Sequence, residues 1–473
     1  MYNSKLYTIL EHFDKYEQNR CRKYIQSPYF NRSDELVHLF DSLVSAINGE
    51  NGVRLDKEYL WEKLQPGKDY DDVRFRKYCS DLLKLIEGYL AQQAYEENPL
   101  HQATYLMEAI GKRKIKKLNS TAIRTSRRLS SQQKYKPSSY YFYQYEVEKH
   151  LYQLTDSDLK RARRNNVEEI ANNLDRFYIA EKLRYYCLVL MQQFYISEEY
   201  EILLIEEIIS QIRKYGFDDI PPIAVYYQIY LTLTESSDEK HYFKLIEVLQ
   251  EHGAQFPPED AYNIYTYALN YCIGKVNKGQ QHFLEEYFRL YQELLDNEII
   301  FIDGELSPWD FKNIIVIALR LGRFKWVEQF IENYKDRLRE SYRDNAVTYN
   351  LAQVYFYQKK YDKVIQLLQE VEYDDVAYNL GSKAMLLATY YETEEIEPLY
   401  SLFESFRAYL NRHKDIPVNR RRNYGNLIKF TKKLTRTMPG DEKALKKLKD
   451  EIKNTKNVAS VSWLREKIAE LEN

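Results

Sequence analysis

SPWDFKNIIVIALRLGRFKWVEQFI (residues 307–331) holds a helix, a turn and a second helix in one short stretch. Ser307 is a natural N-cap, Pro308 fits the first helical position, where no N–H is needed, and Asp310 puts an acid at N3. The following run Ile314-Ile315-Val316-Ile317-Ala318-Leu319 is, tyrosine aside, the longest clean apolar run of the chain. It falls far short of the roughly 20 residues that span a bilayer. Moved along by 37 residues, Ile314, Ala318, Gly322, Phe324, Val327 and Ile331 fall on Leu351, Tyr355, Lys359, Tyr361, Val364 and Leu368. The helix pair recurs.

Working outward, the same apolar spacing of i, i+3, i+4 and i+7 fills almost every segment, and no alternating stretch is long enough to argue for a sheet. Composition agrees. The 473 residues include 14 Gly and 12 Pro, less than half of the ordinary share of roughly 12%. Sheets and phosphate loops spend these residues on turns. From about residue 170 onward the helices come in pairs with short links, and first helices start near 172, 220, 259, 308, 345, 376 and 416, roughly 41 residues apart. Pro221-Pro222, Pro257-Pro258 and Gly274 are among the sparse breakers in the links. Helix pairs at this period imply a solenoid. An all-α protein with a helical N-terminal domain over 1–155 and a solenoid over 156–473 is therefore expected.

Tyr349-Asn350-Leu351-Ala352 and Tyr378-Asn379-Leu380-Gly381 put a large residue, an asparagine and a small residue at a helix opening, and Ala261-Tyr262-Asn263-Ile264 echoes them with Tyr265 in place of the small one. With the 37-residue alignment, these openings resemble the tetratricopeptide (TPR) repeat, most specifically over 308–412. The two sharp openings lie 29 residues apart, short of the 34 of the family, so the array is TPR-like rather than regular. The resemblance implies a right-handed superhelix whose first helices line a concave groove, with Asn263, Asn350 and Asn379 facing that groove to hydrogen-bond an extended peptide. The paired lysines and asparagines of the family's carboxylate clamp are not visible.

The first 100 residues read as short helices: Asn31 caps one carrying Leu36, Leu39, Phe40 and Leu43, and Asp56 caps another that ends at Pro66-Gly67. A long helix runs from about Asp71 to Tyr95, and Asn98-Pro99 opens the next. The N-terminal boundary is placed at Thr155-Asp156-Ser157. At the other end, Ser462-Trp463-Leu464 with Ile468 and Leu471 forms an apolar stripe, read as a capping helix or as a detachable one that docks elsewhere.

The net charge of −2 conceals a polarised chain. Residues 111–136 hold ten Lys/Arg and no acid, among them Arg113, Lys116, Arg127 and Arg128, and residues 418–436 hold seven and no acid, among them Arg420, Arg421 and Arg422. Such segments attract phosphate backbones, and Tyr424 and Phe430 interleave the second, where they can stack on bases. The stretch from Asp56 through Pro66-Gly67 to Arg74, Arg76 and Lys77 loosely resembles the helix–turn–helix of bacterial activators that join a winged helix to TPR repeats. Asp71, Asp72, Asp81 and Glu87 cancel its basic residues, and no wing strands follow.

No motif carries chemistry. Glu62 and Asp69 spoil Gly67-Lys68 as a phosphate loop, the eight histidines form neither HxxxH nor HExxH, and Ser157-to-Lys160 matches SxxK without its companion motifs. Cys21, Cys79, Cys187 and Cys272 sit at no metal-ligand or CxxC spacing. The expectation is a non-enzymatic, cytoplasmic scaffold that binds a protein or peptide in its groove, with no cofactor and no membrane; the rival is a nucleic-acid-binding regulator.

Overall fold

A computed structural model describes residues 1–50, 54–155, 166–193, 200–369 and 376–472. The expected boundary at 155–156 and the Ser157-to-Lys160 motif reach outside the described residues. The chain is all-α and forms two compact units, Met1–Lys182 and Leu183–Asn473. Among the described residues the strands are Phe301–Ile302 (β1) and Glu305–Leu306 (β2), a two-residue antiparallel ribbon turned by Asp303 and Gly304 at positive φ.

The first unit begins with α1 (Lys5–Glu11), α2 (Lys15–Gln26), α3 (Asp34–Ile47), α4 (Lys57–Leu64) and α5 (Asp72–Glu96) around one core that includes Leu10, Cys21, Ile25, Leu39, Phe75 and Ile86. Asp56 caps α4 by accepting from the Tyr59 N–H at 3.0 Å, and Asp71 caps α5 in the same way, as their positions before each apolar run suggest. Asn31 does not cap α3. Ser33 holds that position, while the Asn31 amide donates to the carbonyls of Ile25 and Ser33 and so ties the loop rather than the helix. α6 (Pro99–Arg113), α7 (Asn119–Ser131) and α8 (Ser138–Leu154) pack on one another over Met107, Ile110 and Ala122.

α9 (Val167–Gln193) spans the division and supplies Leu183 onward to the second unit. There, hairpins follow in series: α11 (Pro221–Thr234) with α12 (Lys240–His252), α13 (Pro258–Asn277) with α14 (Phe283–Asp296), α15 (Pro308–Arg320) with α16 (Phe324–Tyr334), α17 (Glu340–Tyr357) with α18 (Tyr361–Gln369), and α19 (Val376–Glu392) with α20 (Ile396–Arg412). Before them stands α10 (Ile205–Tyr215), and after them α21 (Val418–Leu434), α22 (Glu442–Asn454) and α23 (Val461–Glu472). First helices start within five residues of each expected position. Each second helix also packs on the next first helix, and the first helices α11 and α13, α15 and α17, α17 and α19, and α19 and α21 touch directly. α13 and α15 are joined by a hydrogen bond, Tyr262 donating to Asp310 at 2.7 Å.

Where first helices meet, side-chain size decides the approach. A Cβ placed on Gly381 of α19 would stand 2.6 Å from the Tyr349 hydroxyl of α17, so the glycine makes room for a buried ring that larger residues would displace. Four hairpins turn in one way, the first between α13 and α14, where Gly279 stands at φ 91° and the Gln280 N–H reaches back to the Lys275 carbonyl. Gly322, Lys359 and Glu394 are left-handed, with φ of 71°, 57° and 56°, and the next N–H reaches back to the carbonyl five residues earlier: Arg323 to Ala318, Lys360 to Tyr355, Glu395 to Tyr390. This is the Schellman turn, which satisfies carbonyls left open at a helix end. Gly279 and Gly322 meet this need with glycine, Lys359 and Glu394 do not, and a left-handed L-residue costs roughly 1–2 kcal/mol. Lys359→Gly and Glu394→Gly are each expected to stabilise the protein by about 1 kcal/mol, visible as higher denaturant midpoints; a fall in midpoint would show that Lys359 or Glu394 is held by contacts worth more than the strain.

The C-terminal helix is docked. Leu464 and Ile468 are buried on α21 and α22, a gain of roughly 1.5–3 kcal/mol per side chain, and Trp463 and Lys467 reach Glu392 of α19.

Candidate binding groove

The first helices leave one face open, and three clefts in a row share residues along it. The first, about 330 Å³, lies among α9, α11 and α13, with Arg184, Met191, Tyr226, Asp260, Asn263 and Asn270 among its walls. The second, about 210 Å³, continues from Met191 and Asn270 to Leu233, Ile273, Asn277 and Lys278 and is mainly apolar. The third, about 180 Å³, carries on from Ile273 and Asn277 to Asn313, Ile317 and Arg320 of α15. The floor is a single stripe of α13, since Asp260, Asn263, Tyr267, Asn270, Gly274 and Asn277 recur at steps of three and four. A fourth cleft, about 280 Å³, lies farther along the same series between α17, α19, α21 and α23, and is lined by Tyr349, Phe356, Tyr357, Met385, Tyr424 and Trp463.

Packing behind the stripe holds α13 in place. Tyr271 stacks on Tyr242 of α12 with ring centroids 5.0 Å apart, and the Cys272 thiol lies 3.3 Å from the Tyr242 hydroxyl. Lys275 is buried, its ammonium over the Tyr271 and Phe283 rings and 3.5 Å from Glu239. Tyr262 and Tyr291 both donate to the Asp310 carboxylate, at 2.7 and 3.2 Å. Burial raises the Asp310 carboxyl above its ordinary pKa, against the lowering pull of those two hydroxyls. Asp310 therefore does not close a capping box: Ser307 accepts from the Trp309 N–H, and the acid turns inward. Burial also pushes the thiols up, Cys21 and Cys272 to about 12 and Cys79 to about 11, so they are protonated and unreactive near neutrality. Among the described residues no cluster of His, Cys, Asp and Glu is fit to hold a metal ion, and no helix is long and apolar enough to cross a membrane.

The expected asparagines do not share one surface. Asn263 is exposed in the first cleft. Asn379 is half-buried on α19. Asn350 is 0% exposed; its amide donates to the Ala346 carbonyl of its own helix at 2.8 Å, and a side chain so enclosed by neighbouring helices meets no surface ligand. The groove instead adds Asn270 and Asn277, which sequence reasoning passed over. Their signal was available, an asparagine at every seventh position of one helix.

All ten cations of 111–136, with Arg113, Lys116, Arg127 and Arg128 among them, are exposed, on the end of α6, the short turn Lys116–Leu118, α7 and the loop after it. Lys112 pairs with Glu108, and Arg128 donates to Gln132. In the second basic segment three of the seven cations face carboxylates. Lys429 and Lys433 share Glu451 of α22, and Lys432 faces Glu404 of α20 at 3.5 Å. Arg436, just past α21, lies beside Tyr400, and Arg420, Arg421 and Arg422 lie in the first turns of α21, where the helix dipole disfavours cations. Phe430 is 0% exposed and so cannot stack on a base; its spacing puts it on the core stripe with Leu427 and Leu434. The two segments belong to different units. In the stretch that resembles a helix–turn–helix, Arg76 pairs with Asp72 and Arg74 donates to Tyr78, and the first unit has no strand among its described residues.

Comparison with protein-family models, with curated proteins and with solved structures returns no match to this chain. The described residues define a protein of serially packed helix hairpins with adjoining clefts along the first helices.

Proposed function

We propose that the second unit is a TPR-like, right-handed superhelical solenoid and that the protein is a non-enzymatic, cytoplasmic scaffold binding a protein or peptide along its concave face. One observation carries this reading: three successive clefts run along the first helices and share the stripe Asn263–Asn277 as their floor. Tyr267 supplies a large, half-polar wall, and the asparagines supply donor and acceptor pairs, so such a groove needs no cofactor to bind a chain. Affinity purification from the native host tests it. The triple variant Asn263→Ala, Asn270→Ala, Asn277→Ala should lose the partners that the unaltered protein recovers, with its helical circular dichroism preserved; recovery of the same partners by both removes the groove from the account.

The full exposure of the cations in 111–136 supports a second reading, nucleic-acid binding through the first unit. Backbone contacts strengthen as salt falls, so retention on a labelled duplex at low ionic strength is expected, with loss on Arg127→Ala and Arg128→Ala. A protein that passes unretained at low salt ends this reading.

A further inference from the structure

Asn263, Asn270 and Asn277 recur every seventh residue of α13. Seven residues of α-helix advance about 10.5 Å and return within about 20° of the same direction, so the three amides stand in one row along the groove floor. Asn263 and Asn277 are exposed and Asn270 is half-buried between them, its Nδ2 3.8 Å from the Met191 sulfur. A carboxamide offers a donor and an acceptor in one plane, the pair that a peptide unit itself offers. A chain that satisfies the row must turn a peptide unit to the same side about every 10 Å.

A β-strand does not do this, because its hydrogen-bonding edge repeats every two residues, about 6.6–6.8 Å. A polyproline II segment does. It has three residues per turn, about 9.3 Å, and its N–H and C=O groups carry no internal bonds. The residual of about 1 Å per step is within the swing of an asparagine side chain about its two rotatable bonds. One wall fits the same ligand: the half-buried Tyr267 lines the first cleft, and aromatic grooves are what polyproline II segments dock into, while Tyr226, Tyr271 and Tyr287 border the clefts as buried rings.

Charge narrows the partner further. Lys278 and Arg320 stand at the Asn277 end of the row, while at the Asn263 end Arg184 shares its cleft with Asp260. Asp260 is the one carboxylate among the described residues lining the three clefts, and no described carboxylate pairs with Lys278 or Arg320. We infer that the groove holds a peptide segment in the polyproline II conformation, with every third peptide unit on Asn263, Asn270 and Asn277 and acidic residues at the Asn277 end of the segment. This rests on the groove reading above.

Fluorescence anisotropy with the full chain tests it, using three fluorescein-labelled peptides: three Pro-Pro-Ala steps with two glutamates at each end, the same peptide with lysines for glutamates, and a Val-Thr repeat of equal length with the glutamates kept. The first should bind at least tenfold more tightly than either other. Asn270→Ala should weaken it about tenfold, and Lys278→Ala with Arg320→Ala should erase the preference for glutamate over lysine. Equal or tighter binding of the Val-Thr peptide overturns the inference, as does unchanged affinity in the triple asparagine variant or no binding of any probe at millimolar concentration. If the Val-Thr peptide wins and Asn270→Ala abolishes its binding, the groove reading survives and the polyproline II geometry fails. If probes bind and no groove substitution changes their affinity, both fail.

Discussion

Replacing Lys467 with methionine is expected to cost roughly 3–5 kcal/mol, the usual penalty for leaving half of a buried ion pair behind. The Lys467 side chain is 5% exposed, and its ammonium meets Glu392 of α19 at 2.8 Å and Glu470 of its own helix at 2.8 Å. Glu392, 15% exposed, also accepts from the Trp463 indole N–H at 2.8 Å. Burial works against the Lys467 charge, and the hydrogen bonds to Glu392 and Glu470 outweigh it, so its pKa stands above the ordinary lysine value. A raised lysine contributes fully below the unfolded-state pKa and loses that contribution only as the pH rises through the folded value, so the pair is intact across the neutral range. With lysine gone, the Glu392 carboxylate is left under α23 without a cation. Adding Glu392→Gln to Lys467→Met removes that stranded charge while keeping an acceptor for Trp463, and should recover most of the loss. Chemical denaturation of the two variants decides the matter. A single variant within 1 kcal/mol of the unaltered protein would mean that α23 is not held by this pair, which favours the detachable-helix reading of the C-terminus.

Asp310→Leu should cost roughly 2–4 kcal/mol, because it takes the acceptor from two tyrosine hydroxyls, Tyr262 on α13 and Tyr291 on α14, in a site that is 5% exposed. Asp310→Asn should cost much less near neutrality, and its difference from the unaltered protein should depend on pH. Burial lifts the folded-state carboxyl above its unfolded value. The folded protein then binds the proton more tightly than the unfolded chain does, and its stability falls as the pH rises from the ordinary carboxylate range through the folded pKa. Asparagine has no such proton to lose. Asp310→Asn should therefore gain on the unaltered protein as the pH rises from about 4 and level off above the folded pKa. A difference that stays flat between about pH 4 and 7 would show a normally titrating carboxylate and remove burial as the cause.

The helices themselves were legible because their signals are local. A cap, an apolar stripe of period 3.6 and a breaker lie within one helix length, and they located α4, α5 and the start of α15 without reference to any other part of the chain. The Schellman turns were half legible: Gly279 and Gly322 announce themselves, whereas Lys359 and Glu394 adopt the same conformation under the pull of the helices on either side. The row of asparagines on α13 was equally present in the spacing, but its meaning needed a face, and a face exists only once the neighbouring helices have covered the others.

That dependence separates the two levels. Chain-local physics settled that the protein is all-α, where most of its helices begin, and that Leu464 and Ile468 belong to a buried stripe. Contacts distant in sequence settled the rest. Asp310 looks like an N3 cap residue and became the shared acceptor for tyrosines 48 and 19 residues away. Asn350 looks like a groove residue and lies in the core, and Phe430 looks available to a base and packs inside. Burial is a property of what surrounds a side chain, and for paired helices the surroundings come from the next hairpins, which no window of sequence contains.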